Sequence, residues 1–324
     1  MRILIWHVHG AWTTAFVQGP HTYLIPTNPR RDAYGLGRAR TYPWPASAVE
    51  LDTAPGPSGV ISMGPEVDLD VDVVVLQRPE EWRLAERMLG SRLGKSIPVV
   101  YVEHNTPKGD VPNTRHPMAD RDGVTLVHVT HFNALFWDSG ATAVRVVEHG
   151  IPDPGVRYTG EQPRIAVAIN EPVRRGRVTG TDLLPRFAEV APVDVFGMNV
   201  TDLRMAGVDT HEDLPQAAMH AEIVRRRVYL HPMRWTSLGL SLLEAMLCGM
   251  PVVALASTEA VMAVPPGAGA LSTNPEELVD AARWLVADDA AARRCGAVAR
   301  AAVRQRYGLA RFLSDWDALL KEVA

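Results

Sequence analysis

The chain has 324 residues, of which 47% are hydrophobic and 22% are charged. These values predict about two globular domains and exclude a disordered chain or a small disulfide scaffold. Its 33 basic and 37 acidic residues give a formal net charge of -4. The sequence therefore lacks the basic excess of a dedicated nucleic-acid binder, and we expect no nucleic-acid partner.

Cysteine use and hydropathy bear on the cellular compartment. The two cysteines, Cys248 and Cys295, cannot form a disulfide framework or a zinc cluster. No apolar run approaches the roughly 20 residues that cross a bilayer. We expect a cytoplasmic protein without a transmembrane segment, while peripheral contact with a membrane stays open.

Short apolar runs rich in β-branched residues recur along the first part of the chain and predict buried strands. Helical patterns lie between them, one beginning at Pro79 and another running from Thr130 to Gly140. This alternation predicts a parallel sheet covered by helices. The predicted strands span residues 1–6, 71–76, 97–102, 125–129 and 144–147.

The segment from Pro20 to Pro65 interrupts this pattern. It holds eight of the 25 prolines and no convincing strand, and long loops of this kind are usually functional or disordered. The aromatic residues in and near it form either a small core of the loop or a binding surface; they are Trp12, Tyr34, Tyr42 and Trp44.

The alternation restarts after a segment rich in proline and glycine between Pro152 and Pro163. The restart predicts a second α/β domain and a cleft between the domains. Further helices are indicated by a capped start at Asn274 and by apolar spacing from Leu309 to Val323. The predicted strands of this domain span residues 164–169, 193–196, 228–230 and 251–255.

The most informative stretch is YLHPMRWTSLGLSLLEAMLCGMPVVAL, residues 229–255, which predicts strand, loop, helix, glycine turn and strand. The start of this helix is a candidate anion site, because its backbone amides lie at the positive end of the helix dipole and Gly239 allows close approach. Glu244 lies on the helix among apolar residues, so we expect it to have an assigned partner. The amides belong to Ser237, Leu238, Gly239 and Leu240.

This stretch resembles the family 4 glycosyltransferases, which are retaining, nucleotide-sugar-dependent enzymes of the GT-B fold. Their hallmark is Glu-x7-Glu, and the resemblance places the second glutamate, which holds the donor ribose, on Glu244. The first glutamate, which contacts the donor sugar, falls at Thr236. Either the donor sugar differs or its hydroxyls are read another way, with Thr236 and Ser237 bordering the sugar.

Other family landmarks extend the resemblance over the whole chain. Arg175-Gly176 is the nearest match to the family's diphosphate-holding Lys-Gly, with Arg174 and Arg177 as competitors; arginine can take phosphate oxygens in place of lysine. In YVEHNTP, residues 101–107, His104 matches the histidine that faces the donor sugar. Gly10 stands alone where the family's donor loop usually has a glycine pair.

The resemblance implies two Rossmann-like domains facing a cleft. They span residues 1–152 and 153–306, and a last helix at 307–324 returns to the first domain. It also implies retaining transfer of a sugar from a UDP- or GDP-type donor to an unknown acceptor, with no cofactor and no metal. We expect the segment from Pro20 to Pro65 to shape the acceptor side, with Trp12 and His21 as acceptor-side candidates. The catalytic candidates are His104, Arg175 and Glu244; the other donor-binding candidates are Gly10, Arg174, Arg177, Thr236, Ser237, Leu238, Gly239 and Leu240.

Two other functions stay open. Thr236 and the single Gly10 motivate a nucleotide-sugar or carbohydrate binding protein on the same scaffold without turnover. A GT-B-fold epimerase would need carboxylates as acid and base, and Glu103 beside His104 is the candidate.

Metal and dinucleotide sites are not supported by the sequence pattern. The pair His7 and His9 and the pair His128 and His131 lack a carboxylate or cysteine at ligand spacing. The first strand is followed by HVHGAW and not by the glycine-rich fingerprint of redox dinucleotide binding. We therefore expect neither a metal site nor dehydrogenase chemistry.

Overall fold

The structure is a computed structural model that describes residues 1–40, 42–53 and 69–324. The chain forms two compact units, one of Met1–Gly150 with Leu309–Ala324 and one of Ile151–Gly308. Each unit is built on a sheet of parallel strands. The predicted architecture of two parallel-sheet α/β domains is confirmed.

The first unit has a seven-stranded sheet covered by helices. Its helices before Gly150 are α1 (Gly10–Phe16), α2 (Pro79–Leu89) and α3 (His131–Phe136). Its strands are β1 (Arg2–Ile5), β2 (Thr22–Thr27), β3 (Ala48–Asp52), β4 (Val73–Leu76), β5 (Val99–Glu103), β6 (Val124–His128) and β7 (Ala143–Val146). The sheet order is β3-β2-β1-β4-β5-β6-β7, and the central strands are apolar throughout because helices cover both faces.

The second unit has a six-stranded sheet in the order β10-β9-β8-β11-β12-β13. Its strands are β8 (Gln162–Ala168), β9 (Val193–Gly197), β10 (Val208–Glu212), β11 (Arg226–His231), β12 (Val252–Leu255) and β13 (Gly269–Ser272). Its helices are α4 (Pro172–Arg175), α5 (Leu184–Ala188), α6 (Gln216–Ile223), α7 (Leu240–Cys248), α8 (Ala260–Ala263), α9 (Pro275–Ala287) and α10 (Asp289–Arg306).

The chain ends in helix α11 (Leu309–Val323), which belongs to the first unit. Phe312 and Trp316 on one face of α11 are buried and contact the ring of Trp12 in α1. Among the described residues, no helix is both long enough and apolar enough to span a membrane.

The absence of strands predicted for the segment from Pro20 to Pro65 is wrong, because β2 and β3 lie within it. Pro26 lies in β2 beyond Leu24, the last residue that β2 pairs with β1, so its missing N–H costs no bond to β1. Strand β3 is an edge strand with charged, partly exposed residues and therefore has no continuous apolar run. Residues 41 and 54–65 of this segment lie outside the described part of the chain.

Both sheets contain a point at which strand order reverses. In the first unit β1 lies between β2 and β4, and in the second unit β8 lies between β9 and β11. The loops that leave the carboxyl ends of such neighbouring strands diverge and leave a crevice where ligands bind in open α/β sheets. The side chains that follow β1, β4, β8 and β11 therefore border these two crevices.

Candidate functional site

The loop after β8 contains three arginines with different environments. The Nε of Arg174 donates to Glu171 Oε1 at 2.8 Å, and Arg177 pairs with Asp182 at 3.2 Å. Arg175 is half-buried, and no described residue forms a hydrogen bond or ion pair with its guanidinium. Burial lowers the pKa of Arg175, the charge of Arg174 lowers it further, and the charge of Glu171 partly opposes both. Of the three, Arg175 is the one whose guanidinium makes no direct contact with a carboxylate among the described residues.

The loop after β11, residues 232–239, is joined to the arginine loop by backbone hydrogen bonds. The N–H groups of Arg234 and Trp235 both donate to the carbonyl oxygen of Val178, at 2.9 and 3.3 Å. The Arg234 side chain adds a bond to the carbonyl oxygen of Arg177 at 2.8 Å. The two loops that leave β8 and β11 therefore form one continuous surface at the carboxyl edge of the sheet.

Helix α7 begins at the end of this loop with Gly239 as its N-cap. A Cβ atom at Gly239 would lie 2.7 Å from Cε1 of the buried His231, so only glycine fits between the loop and that ring. The side chains of Ser237 and Leu238 are buried. Within the described residues, nothing accepts a hydrogen bond from the backbone N–H groups of Leu238, Gly239 and Leu240. These donors remain for a ligand at the positive end of the helix.

Glu244 is buried on α7 and has two side-chain partners on α6. Gln216 Nε2 donates to Glu244 Oε1 at 2.8 Å, and His220 Nε2 lies 3.1 Å from Glu244 Oε2. Because a carboxylate only accepts, His220 must carry its proton on Nε2. Each carboxylate oxygen keeps a second lone pair for a ligand hydroxyl.

The sequence led us to expect a partner for Glu244 but not Gln216 or His220. The signal that was missed is the spacing of four residues between a glutamine and a histidine, which places both side chains on one face of a helix.

In the first unit, His104 directly follows β5 at the carboxyl edge. Its Nε2 lies 3.0 Å from Gln77 Oε1, and its ring centre is 4.1 Å from that of His9 and 4.9 Å from that of Trp12. Burial lowers the pKa of His104 well below its usual value, so the ring is neutral at pH 7. Gln77, directly after β4, had no motif in the sequence to mark it.

Gly10 is the first residue of α1, which has seven residues and is capped by His9. A Cβ atom at Gly10 would lie 3.3 Å from Cε2 of Tyr42, so the glycine makes room for that ring. Its predicted part in donor binding stays a prediction.

The structure does not place Trp12 where an acceptor-side residue was predicted. Its side chain is 1% exposed. It packs against Phe16, with ring centres 5.0 Å apart, and against Trp316 at 5.7 Å. Trp12 and Phe16 lie four residues apart on the inner face of α1, so Trp12 belongs to the core of the unit.

The acceptor-side prediction for His21 also disagrees with the structure. His21 immediately precedes β2 and so lies at the amino edge of the parallel sheet, opposite the edge that carries His104. Its Nε2 is 3.5 Å from Asp317 Oδ1 on α11. Its environment therefore ties it to the packing of α11.

The aromatic group predicted from Trp12, Tyr34, Tyr42 and Trp44 divides in the structure. Trp44 is buried, its Nε1 donates to Thr14 Oγ1 at 2.8 Å, and it contributes to packing as Trp12 does. The guanidinium carbon of Arg78 lies 4.4 Å from the ring centre of Tyr34. The small-core alternative therefore describes the two tryptophans.

Glu103, the acid–base candidate for an epimerase, is buried and hydrogen-bonded within the first unit. Its Oε1 accepts from the backbone N–H of Asn105 at 2.6 Å, and its Oε2 accepts from His116 Nε2 at 3.0 Å. His116 is buried and its Nδ1 accepts from Met118 N–H, which fixes the proton on Nε2. Glu103 therefore has one donor to each oxygen, as Glu244 has.

No group of three or more His, Cys, Asp or Glu side chains that could hold a metal ion is found within residues 1–40, 42–53 and 69–324. The expectation that the reaction needs no metal stays a prediction.

Comparison with known proteins agrees with this geometry. Residues 205–302, which include Gln216, His220, the loop 232–239 and Glu244, match the family model of glycosyl transferases group 1. No curated protein sequence matches the chain.

Solved structures resemble the chain over its whole length. Sucrose-phosphate synthase from Thermosynechococcus elongatus is 13% identical, with 100% of this chain and 99% of that chain covered and a TM-score of 0.73. Anabaena HepE in complex with UDP is 15% identical, with 99% and 100% covered and a TM-score of 0.67. A glycosyltransferase from Rickettsia africae is 12% identical, with 99% and 98% covered and a TM-score of 0.65.

At these identities the structural likeness establishes the fold, and the family model matches part of the second unit. The prediction of a glycosyltransferase is confirmed at that level. The chain has the two-domain GT-B fold, and residues 205–302 of its second unit match the glycosyl transferases group 1 model.

Proposed function

We propose that the protein is a retaining glycosyltransferase that moves a sugar from a nucleoside-diphosphate donor, of UDP or GDP type, to an acceptor still to be identified. The observation that carries the proposal is the half-buried Arg175, whose guanidinium forms no hydrogen bond or ion pair with a described residue. Its loop is hydrogen-bonded to the loop that leads into α7, where backbone donors are open. A cationic side chain and open N–H groups on two joined loops suit a diphosphate.

These groups also suit the chemistry of the transfer. Negative charge grows on the diphosphate as its bond to the anomeric carbon breaks, and fixed donors aimed at that charge stabilise it most in the transition state. The acceptor oxygen bonds to the anomeric carbon on the face from which the diphosphate leaves, and its proton passes to the departing phosphate oxygen. We propose that Arg175 and α7 supply this stabilisation without a metal ion.

The remaining residues bind the donor. Glu244, held by Gln216 and His220, accepts hydrogen bonds from the ribose hydroxyls through its free lone pairs. Thr236 borders the donor sugar and offers a hydroxyl where the family has a carboxylate. His104 in the first unit contacts the sugar. The cytoplasmic location and peripheral membrane contact stay predictions from the sequence.

A binding protein without turnover is the second candidate, and Thr236 favours it because a hydroxyl brings no charge to the sugar. An epimerase needs carboxylates as both acid and base, and Glu103 beside His104 is the single candidate that the sequence offers.

Calorimetry with UDP, GDP, ADP and dTDP on the wild type and on Glu244→Ala tests the donor site. We expect one nucleotide to bind and the variant to lose it. Glu276→Ala is the matched control, because Glu276 is an exposed carboxylate of the same unit that pairs with Arg186. Binding of none of the four nucleotides would refute the donor site.

Sugar transfer is tested next, with conjugates of the nucleotide that binds. Release of the nucleotide from its sugar conjugate, with the α-anomeric configuration kept in the product of an α-linked donor, supports the retaining enzyme. Tight binding with no release in the presence of varied acceptors supports the binding protein instead.

A further inference from the structure

The side chain of Gln77 is held so that only one orientation of its amide is chemically possible. Gln77 Nε2 lies 2.8 Å from the carbonyl oxygen of Trp6. A carbonyl oxygen only accepts, so the amide atom that faces it must be the NH2 group, and the amide oxygen must face His104. The backbone is fixed as well, because the N–H of Gln77 donates to the buried Glu81 at 2.7 Å.

This orientation determines which nitrogen of His104 carries the proton. The amide oxygen of Gln77 lies 3.0 Å from His104 Nε2 and can only accept, so Nε2 must donate. Burial lowers the pKa of His104, which keeps the ring neutral with a single proton. Nδ1 is then a bare acceptor, and no described residue hydrogen-bonds it.

We propose that Gln77 is a positioning residue that locks His104 as the Nε2–H tautomer and so leaves Nδ1 as a hydrogen-bond acceptor for a ligand hydroxyl group. This inference rests on the proposed function for the sugar contact, whereas the tautomer does not depend on it. A sugar hydroxyl donates a hydrogen bond to Nδ1, and the opposite tautomer would place an N–H group there instead.

The tautomer is measured on the ligand-free full chain labelled with 15N-histidine, by long-range 1H–15N correlation, with the His104 signals assigned by their loss in His104→Asn. We expect a protonated-nitrogen shift for Nε2 and a bare-nitrogen shift for Nδ1. In Gln77→Met we expect these two shifts to move toward each other as both tautomers become populated. Gln18→Met is the matched control, since Gln18 also donates to backbone carbonyls of the first unit.

An Nδ1–H tautomer in the wild type would overturn the proposal, and so would shifts in Gln77→Met that equal those of the wild type. Unfolding of Gln77→Met leaves the wild-type measurement to decide the tautomer.

The sugar contact is measured by calorimetry with the free nucleotide that binds and with its sugar conjugate. We expect Gln77→Met to bind the conjugate more weakly than the wild type by a factor of about 2 to 10, the range of one neutral hydrogen bond, and to bind the free nucleotide as the wild type does. Wild-type affinity of Gln77→Met for the conjugate would overturn the sugar contact. A chain that binds no nucleotide sugar would refute the proposed function, and the tautomer would still decide the part played by Gln77.

Discussion

Replacement of Arg175 by glutamine should change binding and stability in opposite directions. The guanidinium is half-buried and forms no hydrogen bond or ion pair with a described residue, and burial lowers its pKa. A lowered folded-state pKa means that folding disfavours the charged form, which is the form present at pH 7. Without a ligand, Arg175→Gln should therefore unfold at the same temperature as the wild type or a higher one.

The loss of binding follows from the same geometry. A hydrogen bond to a charged group contributes about 1.5 to 3 kcal/mol, which corresponds to a nucleotide Kd raised about 10- to 150-fold. Arg177→Gln is the matched control on the same loop. Arg177 is exposed and pairs with Asp182. Asp182 also accepts from Arg234 at 2.9 Å, so it keeps a partner when Arg177 is replaced. The control should bind the nucleotide as the wild type does.

Calorimetry measures the Kd of each variant, and thermal unfolding with and without nucleotide measures both effects in one series. Wild-type affinity in Arg175→Gln would refute the phosphate contact. An equal loss in Arg175→Gln and Arg177→Gln would show that the loop acts through its overall charge. A lower unfolding temperature of ligand-free Arg175→Gln would show that the residue is held by the fold and is not reserved for an anion.

Three further outcomes are expected. His220→Asn removes one of the two donors to Glu244 and should raise the nucleotide Kd about 2- to 10-fold by calorimetry; an unchanged Kd would contradict the supporting role. Trp12→Ala should lower the free energy of unfolding by about 3 to 5 kcal/mol in urea titration, whereas Trp284→Ala, at a side chain that is 48% exposed, should change it little; equal effects would contradict the core assignment. Burial lowers the pKa of His149 to about 3 from 6.5. As the pH falls, His149 is therefore protonated in the unfolded chain before it is protonated in the folded one. The free energy of unfolding is unaffected by this group above pH 6.5 and falls by up to about 1.4 kcal/mol per pH unit below it. His149→Asn should flatten the decline of the unfolding temperature from pH 7 to 5, and an unchanged slope would contradict this reasoning.

The predictable parts of the fold are those in which burial requires a recognisable local pattern of apolar residues. Strands such as β4 and β12 are covered on both faces, so they read as continuous apolar runs that the sequence shows directly. Four strands escaped prediction. Strands β3, β10 and β13 are edge strands, and their sequences carry no continuous apolar run because most of their side chains are only partly covered. Strand β2 is internal and buried, and its apolar run is short because Pro26 interrupts it.

The candidate site divides in a similar way. The loop, the glycine N-cap and Glu244 belong to one contiguous stretch, so a motif could identify them together. The partners of these residues come from distant positions: Gln216 is 28 residues from Glu244, and Gln77 is 27 residues from His104. Such pairs are formed by tertiary packing, and no local spacing in a single sequence records them.

The choice among the three arginines was also beyond the sequence. The sequence alone does not distinguish Arg174, Arg175 and Arg177, and each could replace the family's lysine. Folding distinguishes them by giving Glu171 to the first and Asp182 to the third. A counterion placed by the fold, and not the identity of the residue, decides which charge is left for a ligand.

The same reasoning explains why the two units carry different chemistry at equivalent points of their sheets. At the crevice of the second sheet, Arg175 and the start of α7 present a positive charge without a hydrogen-bonded counterion and open N–H donors, which suit an anionic diphosphate. Near the crevice of the first sheet, burial lowers the pKa of His9 to about 4 and that of His104 well below its usual value, so these rings are neutral. Neutral acceptors suit hydroxyl groups and avoid the desolvation of a second charge.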